Sequence, residues 1–451
     1  MAILSMSQAP LNAITDTRVR DSFRLVPLST QTLEGDSEDE VLELLDHPTP
    51  LHPLTQPSAS ASLPPKPPLP RSSGKKEHQR AGKKAKRARK RQLEDQGDPG
   101  AGKMRSRLSK KYATPFAVTI KFNAISLRAA KSAFVGARQR IREHHDRQWH
   151  LQELFDRGFD LIPWDGKTTH AIVDSEERIV SILAGRPHDP TWDDVVADAT
   201  SALHEAGLLA DVPKNNRQHS RGDYPTIAVG VSYGNGQMVP GNLKHTAHNE
   251  TVVAALLANK SIQRIAGFAN SALKFYAPKL FRFYADHVNP LFNHYPQLRR
   301  NFINSIFPAA TFNCGPRVVD LEHVDSTNVP YGLCPIWAGG QFDPRLGGHL
   351  ILFEFKLVIE FPPGSTVLIP SGTVRHGNVP IQQGETRYSF TQYCPGSLVR
   401  WVQYGYQSAK ACSAEGKAKL IGKPEDYWKW AIGLFSKLSE LQQDRTQVFK
   451  S

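Results

Sequence analysis

The sequence predicts an α+β protein in which short strands form a small barrel or sandwich, flanked by helices and preceded by a long basic tail. Three observations carry this expectation. Between Ala310 and Tyr406 the runs HLILFEF, KLVIEF, TVLIP and TRYSFTQY follow one another among GG, PPG and PSG turns, the punctuation of short antiparallel strands. From Asn249 to about Ile306 the pattern is helical, with an aromatic stripe of Phe268, Phe275, Tyr276, Phe283 and Phe292 spaced to pack against a sheet. Residues 1 to about 112 hold almost no aromatic residues and a proline cluster from Pro48 to Pro70, too little apolar surface to offset the entropy of ordering.

The tail explains the charge. The chain has 451 residues and a formal net charge of +13. Arg71 to Lys111 alone carries 16 Lys and Arg against 4 acids, leaving 40 bases and 39 acids elsewhere. Lys83, Lys84, Lys86, Arg87, Arg89, Lys90 and Arg91 are dense and of one sign, as in a nuclear-import or nucleic-acid-binding tract. The nucleus is the expected location. Upstream, Glu34 to Asp46 holds seven acids around Val41, Leu42, Leu44 and Leu45, read as a solvated spacer or a segment that shields the basic tract.

After Pro115 the composition becomes globular. Ala117 to Phe122 alternates like a strand, and a long helix is expected over about Arg128 to Arg157. DLIPWDG and ERIVSILAG read as strands, PTWDDVVADATSALHEAG as a capped amphipathic helix, and TIAVGVSYGNGQ as a strand ending in a Gly-rich turn. PEDYWKWAIGLFSKLSEL reads as a final helix packing Trp428, Ile432, Phe435 and Leu438. The expected organisation is a disordered tail (1–112), an α/β and helical support region (113–300), a strand-rich core (301–410) and a C-terminal helix (411–451). Cys314, Cys334, Cys394 and Cys412 include no CxxC pair, which argues against a disulfide scaffold or a Cys-rich zinc module. The start lacks a secretory pattern and no uncharged run of about 18 apolar residues occurs. A soluble, intracellular protein without a membrane partner is expected.

His-x-Asp occurs twice, and context separates the copies. His144 and Asp146 fall in REHHDRQWH, where helical spacing would point them to different faces. His323 and Asp325 fall in VVDLEHVDS, an extended stretch whose residues two apart project to one side. Two protein ligands hold a transition metal weakly, so a third is expected on a later strand. His376 in LIPSGTVRHGNVPI has the right place in the order, although a histidine there also suits an ordinary turn. Two His and one carboxylate form the ligand set of non-haem Fe(II) oxygenases, which keep positions open for cosubstrate and oxygen. Arg387 comes 11 residues later, on a run where Arg387, Ser389, Thr391 and Tyr393 share a face. A guanidinium and a hydroxyl two residues apart can hold the far carboxylate of a dicarboxylate. The structural alternative is a buried ion pair with Glu354 or Glu360.

These four positions, with CGPRVVDLEHVDSTNVPYGLC, GGHLILFEFKLVIEFPPGSTVLIPSGTVRHGN and ETRYSFTQY, resemble the fungal branch of the TET/JBP nucleobase oxygenases, over roughly Leu161 to Tyr406. The resemblance implies a double-stranded β-helix (jelly-roll or cupin-like) core. It also implies iron ligands His323, Asp325 and His376, and Arg387 and Ser389 as anchors for the cosubstrate 2-oxoglutarate, with O2 as the oxidant. By the same resemblance Asn328 touches the target base and Tyr393 stacks on it. Arg317 either contacts oxoglutarate or phosphate, or pairs with Asp320 or Glu322. Two positions depart from the family: Pro395 stands where a substrate-contacting His is usual, and Leu333 where a Trp is usual. The implied activity is oxidation of the methyl group of 5-methylcytosine in DNA, the base being flipped out of the duplex. The alternatives are an N6-methyladenine or RNA demethylase of the same chemistry, and a non-catalytic nucleic-acid-binding module derived from a mobile element.

Overall fold

The computed structural model describes residues 116–449 apart from 131, 138–146 and 235. The basic tract, the acidic segment and the pair His144 and Asp146 lie outside these residues.

The strands, in chain order, are β1 (Phe116–Thr119), β2 (Asp160–Ile162), β3 (His170–Val173), β4 (Ile179–Gly185), β5 (Gln218–His219), β6 (Gly222–Asp223), β7 (Thr226–Ser232) and β8 (Gly241–Asn242). They continue with β9 (Ala309–Asn313), β10 (Cys334–Gln341), β11 (Leu350–Leu352), β12 (Leu357–Ile359), β13 (Thr366–Ile369), β14 (His376–Asn378) and β15 (Thr386–Tyr393). The helices are α1 (Leu151–Asp156), α2 (Trp192–Leu209), α3 (Lys214–Arg217), α4 (Ala247–Ala258), α5 (Lys260–Tyr276), α6 (Pro278–His294), α7 (Gly396–Gln403), α8 (Ala414–Ile421), α9 (Pro424–Ile432) and α10 (Leu441–Val448).

Two sheets build the core. Nine strands pair in the order β1-β3-β4-β13-β10-β15-β9-β7-β8, and four in the order β14-β11-β12-β2. The central strands β4 and β13 are buried at every position, so they read as continuous apolar runs. In the smaller sheet the alternation of a pleat is visible: Leu350, Leu352, Leu357 and Ile359 join the main core with Trp337, Val367, Ile369 and Phe390. Ile351 and Val358 instead pack in a separate cluster with Trp149, Leu154 and Phe159. Both sheets therefore share one core. Helices α2 and α5 lie against the larger sheet. Asn259 starts α5 by accepting a hydrogen bond from the Ile262 amide at 2.9 Å, and Phe268, Phe275 and Tyr276 bury its apolar side. The aromatic stripe is thus core packing.

Two expected helices differ. Among the described residues of 128–157 only Leu151–Asp156 is helical, and Ala129 pairs with Gly136 in a tight turn. Gly136 is pressed against the main chain, and a Cβ there would lie 1.8 Å from the Gly372 carbonyl oxygen. The C-terminal helix stops at Ile432, and Phe435 still reaches the core. Strand β3 supplies an extra sheet member from a run too short to announce itself. No helix among the described residues is long and apolar enough to cross a membrane.

Candidate metal centre and its cleft

The chain leaves β9 at Asn313 and returns along β14 as an extended segment, Asp320 to His323. The Asn378 amide donates to the Asp320 carbonyl at 2.9 Å, and His323 and His376 exchange main-chain hydrogen bonds of 3.0 and 2.9 Å. Gly377 permits this approach, since a Cβ on it would sit 2.7 Å from the Asp320 carbonyl oxygen. Two residues beyond His323, the Asp325 amide donates to the Ser371 carbonyl at 2.9 Å. Main-chain pairing thus places His323, Asp325 and His376 side by side.

Their donor atoms all lie within 4.8 Å of one another. Nε2 of His323 is 3.9 Å from Asp325 Oδ1, and Nε2 of His376 is 3.9 Å from Asp325 Oδ2. Each imidazole has its other nitrogen on a carbonyl: His323 Nδ1 to Leu321 O at 2.8 Å, and His376 Nδ1 to Val374 O at 2.9 Å. A carbonyl only accepts, so both Nδ1 atoms carry the proton and both Nε2 lone pairs face Asp325. Burial, and then the adjacent His376, push His323 down to about 4. Burial pushes the Asp325 carboxyl up, but His323, His376 and Arg221 outweigh it and hold it below its ordinary range. Neutral imidazole and ionised carboxylate are the forms that bind metal. The donor set and its orientation fit an Fe(II) ion with three protein ligands and open positions.

The triad opens on a cleft lined also by Arg221, Asn313, Asp320, Cys334, Thr391 and Tyr393. Arg387 is buried on β15 at 2% exposure. Its Nη1 donates to the Val318 carbonyl at 3.2 Å, and its Nε has no partner. Burial lowers its pKa, with Asp320 and Tyr224 opposing. The expected alternative partners are engaged elsewhere. Glu354 pairs with Arg375 at 2.8 Å, and Glu360 accepts from the Trp164 amide at 3.2 Å. Among the described residues Arg387 makes no ion pair, so a buried cation stands ready for an anionic ligand. Ser389, also buried, accepts from Asn313 Nδ2 at 2.8 Å.

The substrate-contact candidates sit differently. Tyr393 lines the cleft, its hydroxyl 3.4 Å from Thr311 Oγ1. Asn328 is buried, and its amide donates to Ser371 Oγ at 3.3 Å and Cys334 Sγ at 3.6 Å. It braces two residues of the cleft wall. Arg317 is exposed and donates to the carbonyls of Gln382 (2.9 Å) and Ile381 (3.1 Å), ahead of β15. It pairs with neither Asp320 nor Glu322, which bind Tyr224 and Arg375 respectively. Pro395 caps α7, and Leu333 is fully buried. One cationic cleft residue carried no motif in the sequence: Arg221, on the β5–β6 turn, holds Nη1 3.8 Å from Asp325 Oδ1. A hydrogen bond from the Leu321 amide to the Arg221 carbonyl, 2.8 Å, ties that turn to the segment carrying His323.

No protein-family model and no curated protein matches the chain. Among solved structures, NgTET1 in complex with 5mC DNA aligns at 14% identity over 55% of this chain and 87% of that one, with a TM-score of 0.38. An oxidoreductase of the 2OG-Fe(II) oxygenase family from Burkholderia pseudomallei aligns at 16% identity over 44% of this chain and 90% of its own, with a TM-score of 0.23. Neither alignment is tight enough to assign the chain a class, and the chemistry rests on the residues of the cleft.

Proposed function

We propose that the chain is an Fe(II)- and 2-oxoglutarate-dependent dioxygenase that oxidises the methyl group of 5-methylcytosine in DNA to 5-hydroxymethylcytosine, acting in the nucleus. The observation that carries this reading is a triad of two oriented imidazoles and a carboxylate that can share one metal ion, together with a buried arginine on β15 that makes no ion pair among the described residues. The two sheets around a common core are read as a double-stranded β-helix. Bound Fe(II) supplies the oxidation, in which 2-oxoglutarate gives succinate and CO2 while one oxygen atom of O2 enters the methyl C–H bond.

The chain's own residues do the rest. His323, Asp325 and His376 hold the metal with positions left for cosubstrate and oxygen. Arg387 and Ser389 take the distal carboxylate by charge-assisted hydrogen bonds. A methyl group inside a duplex cannot reach this depth, so the base leaves the stack and lies on Tyr393. The basic tract contributes affinity through phosphate contacts without reading sequence. Removing residues 1–112 is expected to weaken DNA binding and flatten its salt dependence while oxoglutarate binding stays intact.

The test is product analysis. The full chain is incubated with Fe(II), 2-oxoglutarate and duplexes carrying 5-methylcytosine or N6-methyladenine, or methylated RNA, and the nucleosides are resolved by mass. The expected product is 5-hydroxymethylcytosine. Turnover confined to N6-methyladenine or RNA would replace the substrate, and none on any strand would favour the binding module.

A further inference from the structure

We infer that Asn313, which no motif marks, is part of the carboxylate-binding subsite and acts there with Arg387 and Ser389. The inference rests on the oxygenase reading and adds a binding residue to it.

Asn313 ends β9, the strand that lies between β7 and β15, and is paired in register with Ser389. It lines the cleft, yet it is only 4% exposed, with Ser389 at 1% and Arg387 at 2%. Its Nδ2 donates to Ser389 Oγ at 2.8 Å, and its Oδ1 is buried with no partner. The Nε of Arg387 is also buried without one. A buried polar atom without a partner is costly, and two of them, one opposite Ser389 and one two residues before it on β15, mark a place built for a polar ligand.

The two ends of a side-chain amide are exchanged by a flip, and one of the two orientations serves a carboxylate. With Nδ2 on Ser389, the unpartnered Oδ1 is an acceptor that would repel a carboxylate. With Oδ1 on Ser389, the serine donates to Asn313 and Nδ2 presents its hydrogens to the cleft. In the second orientation Asn313 offers hydrogens from the position opposite Ser389, two residues from Arg387 along β15, and donors near a cation select a carboxylate. The ligand is therefore the distal carboxylate of a five-carbon 2-oxo dicarboxylate, and Asn313 tells that acid from its monocarboxylate counterpart.

The experiment measures equilibrium binding of 2-oxoglutarate and of 2-oxopentanoate, which lacks the distal carboxylate, to the full chain loaded with Mn(II). Asn313→Ala is expected to weaken 2-oxoglutarate about tenfold, the loss of one hydrogen bond to a charged group. Its affinity for 2-oxopentanoate and for Mn(II) should stay within twofold of wild type. Asn313→Asp, which sets a carboxylate against a carboxylate, should weaken 2-oxoglutarate further. Unchanged 2-oxoglutarate affinity in both variants overturns the inference, and so does an equal loss for the two acids, which would mark Asn313 as structural. A wild-type chain that binds metal but neither acid overturns the oxygenase reading itself.

Discussion

The metal end of the cleft and its substrate wall are built in opposite ways. At the metal end each imidazole gives its Nδ1 proton to a carbonyl two residues before it, and the strands that carry the ligands exchange main-chain hydrogen bonds. Nothing there waits for another protein group. At the opposite wall, Tyr393 lines the cleft, but two other side chains expected to meet a base or a phosphate are committed to the protein: Asn328 to Ser371 and Cys334, and Arg317 to two carbonyls ahead of β15. Metal binding requires ligands aimed in advance, so the backbone does the aiming. A wall that must admit a large substrate is shaped by residues one layer back, and a motif position does not say which layer a side chain occupies.

Four predictions press on this contrast. The largest effect belongs to the ligands. Asp325→Ala or His376→Ala should lower Mn(II) affinity, read by titration, by more than the roughly 100-fold that loss of an outer partner can cost. Retained affinity would mean that the triad is not the metal site. Next, Arg387→Met should raise the KM for 2-oxoglutarate roughly 100-fold, as expected for losing charge-assisted hydrogen bonds to a carboxylate, while metal affinity is unchanged. A smaller effect is expected from Gly377→Ala, whose Cβ would press on the Asp320 carbonyl oxygen. It should separate the two ligand-bearing segments and reduce metal affinity roughly tenfold along with the melting temperature. Least of all, Arg317→Ala should cost about 1 kcal/mol of stability in a denaturant titration and leave both KM values within twofold. A tenfold rise in the KM for DNA would show that Arg317 turns from the carbonyls to the substrate.

Much of the metal end was legible in the sequence. An extended HVD places His323 and Asp325 on one side, and the alternation of TRYSFTQY puts Arg387 and Ser389 on one face. The remainder depended on long-range contacts. Arg221 reaches Asp325 from a β5–β6 turn tied to Leu321 far along the chain, and Asn313 is one interior strand residue until its register with Ser389 is known. Arg317 pairs with neither Asp320 nor Glu322 but meets two main-chain carbonyls, and carbonyl acceptors carry no sequence signal at all. The helix expected over 128–157 rests on a composition rich in Ala, Arg and Gln; around Gly136 the close contact with Gly372 overrides it. The helix expected after Pro424 ends at Ile432, where Gly433, a poor helix former, stands at the C-cap.

The most direct test of the central claim is succinate release by the full chain with Fe(II), 2-oxoglutarate and methylated duplex DNA, run beside Asp325→Ala. Succinate that accumulates with the wild type, requires iron, and falls to background in Asp325→Ala is the predicted result. Equal release, or equal absence of release, from the two proteins under conditions where a control oxygenase turns over would contradict it.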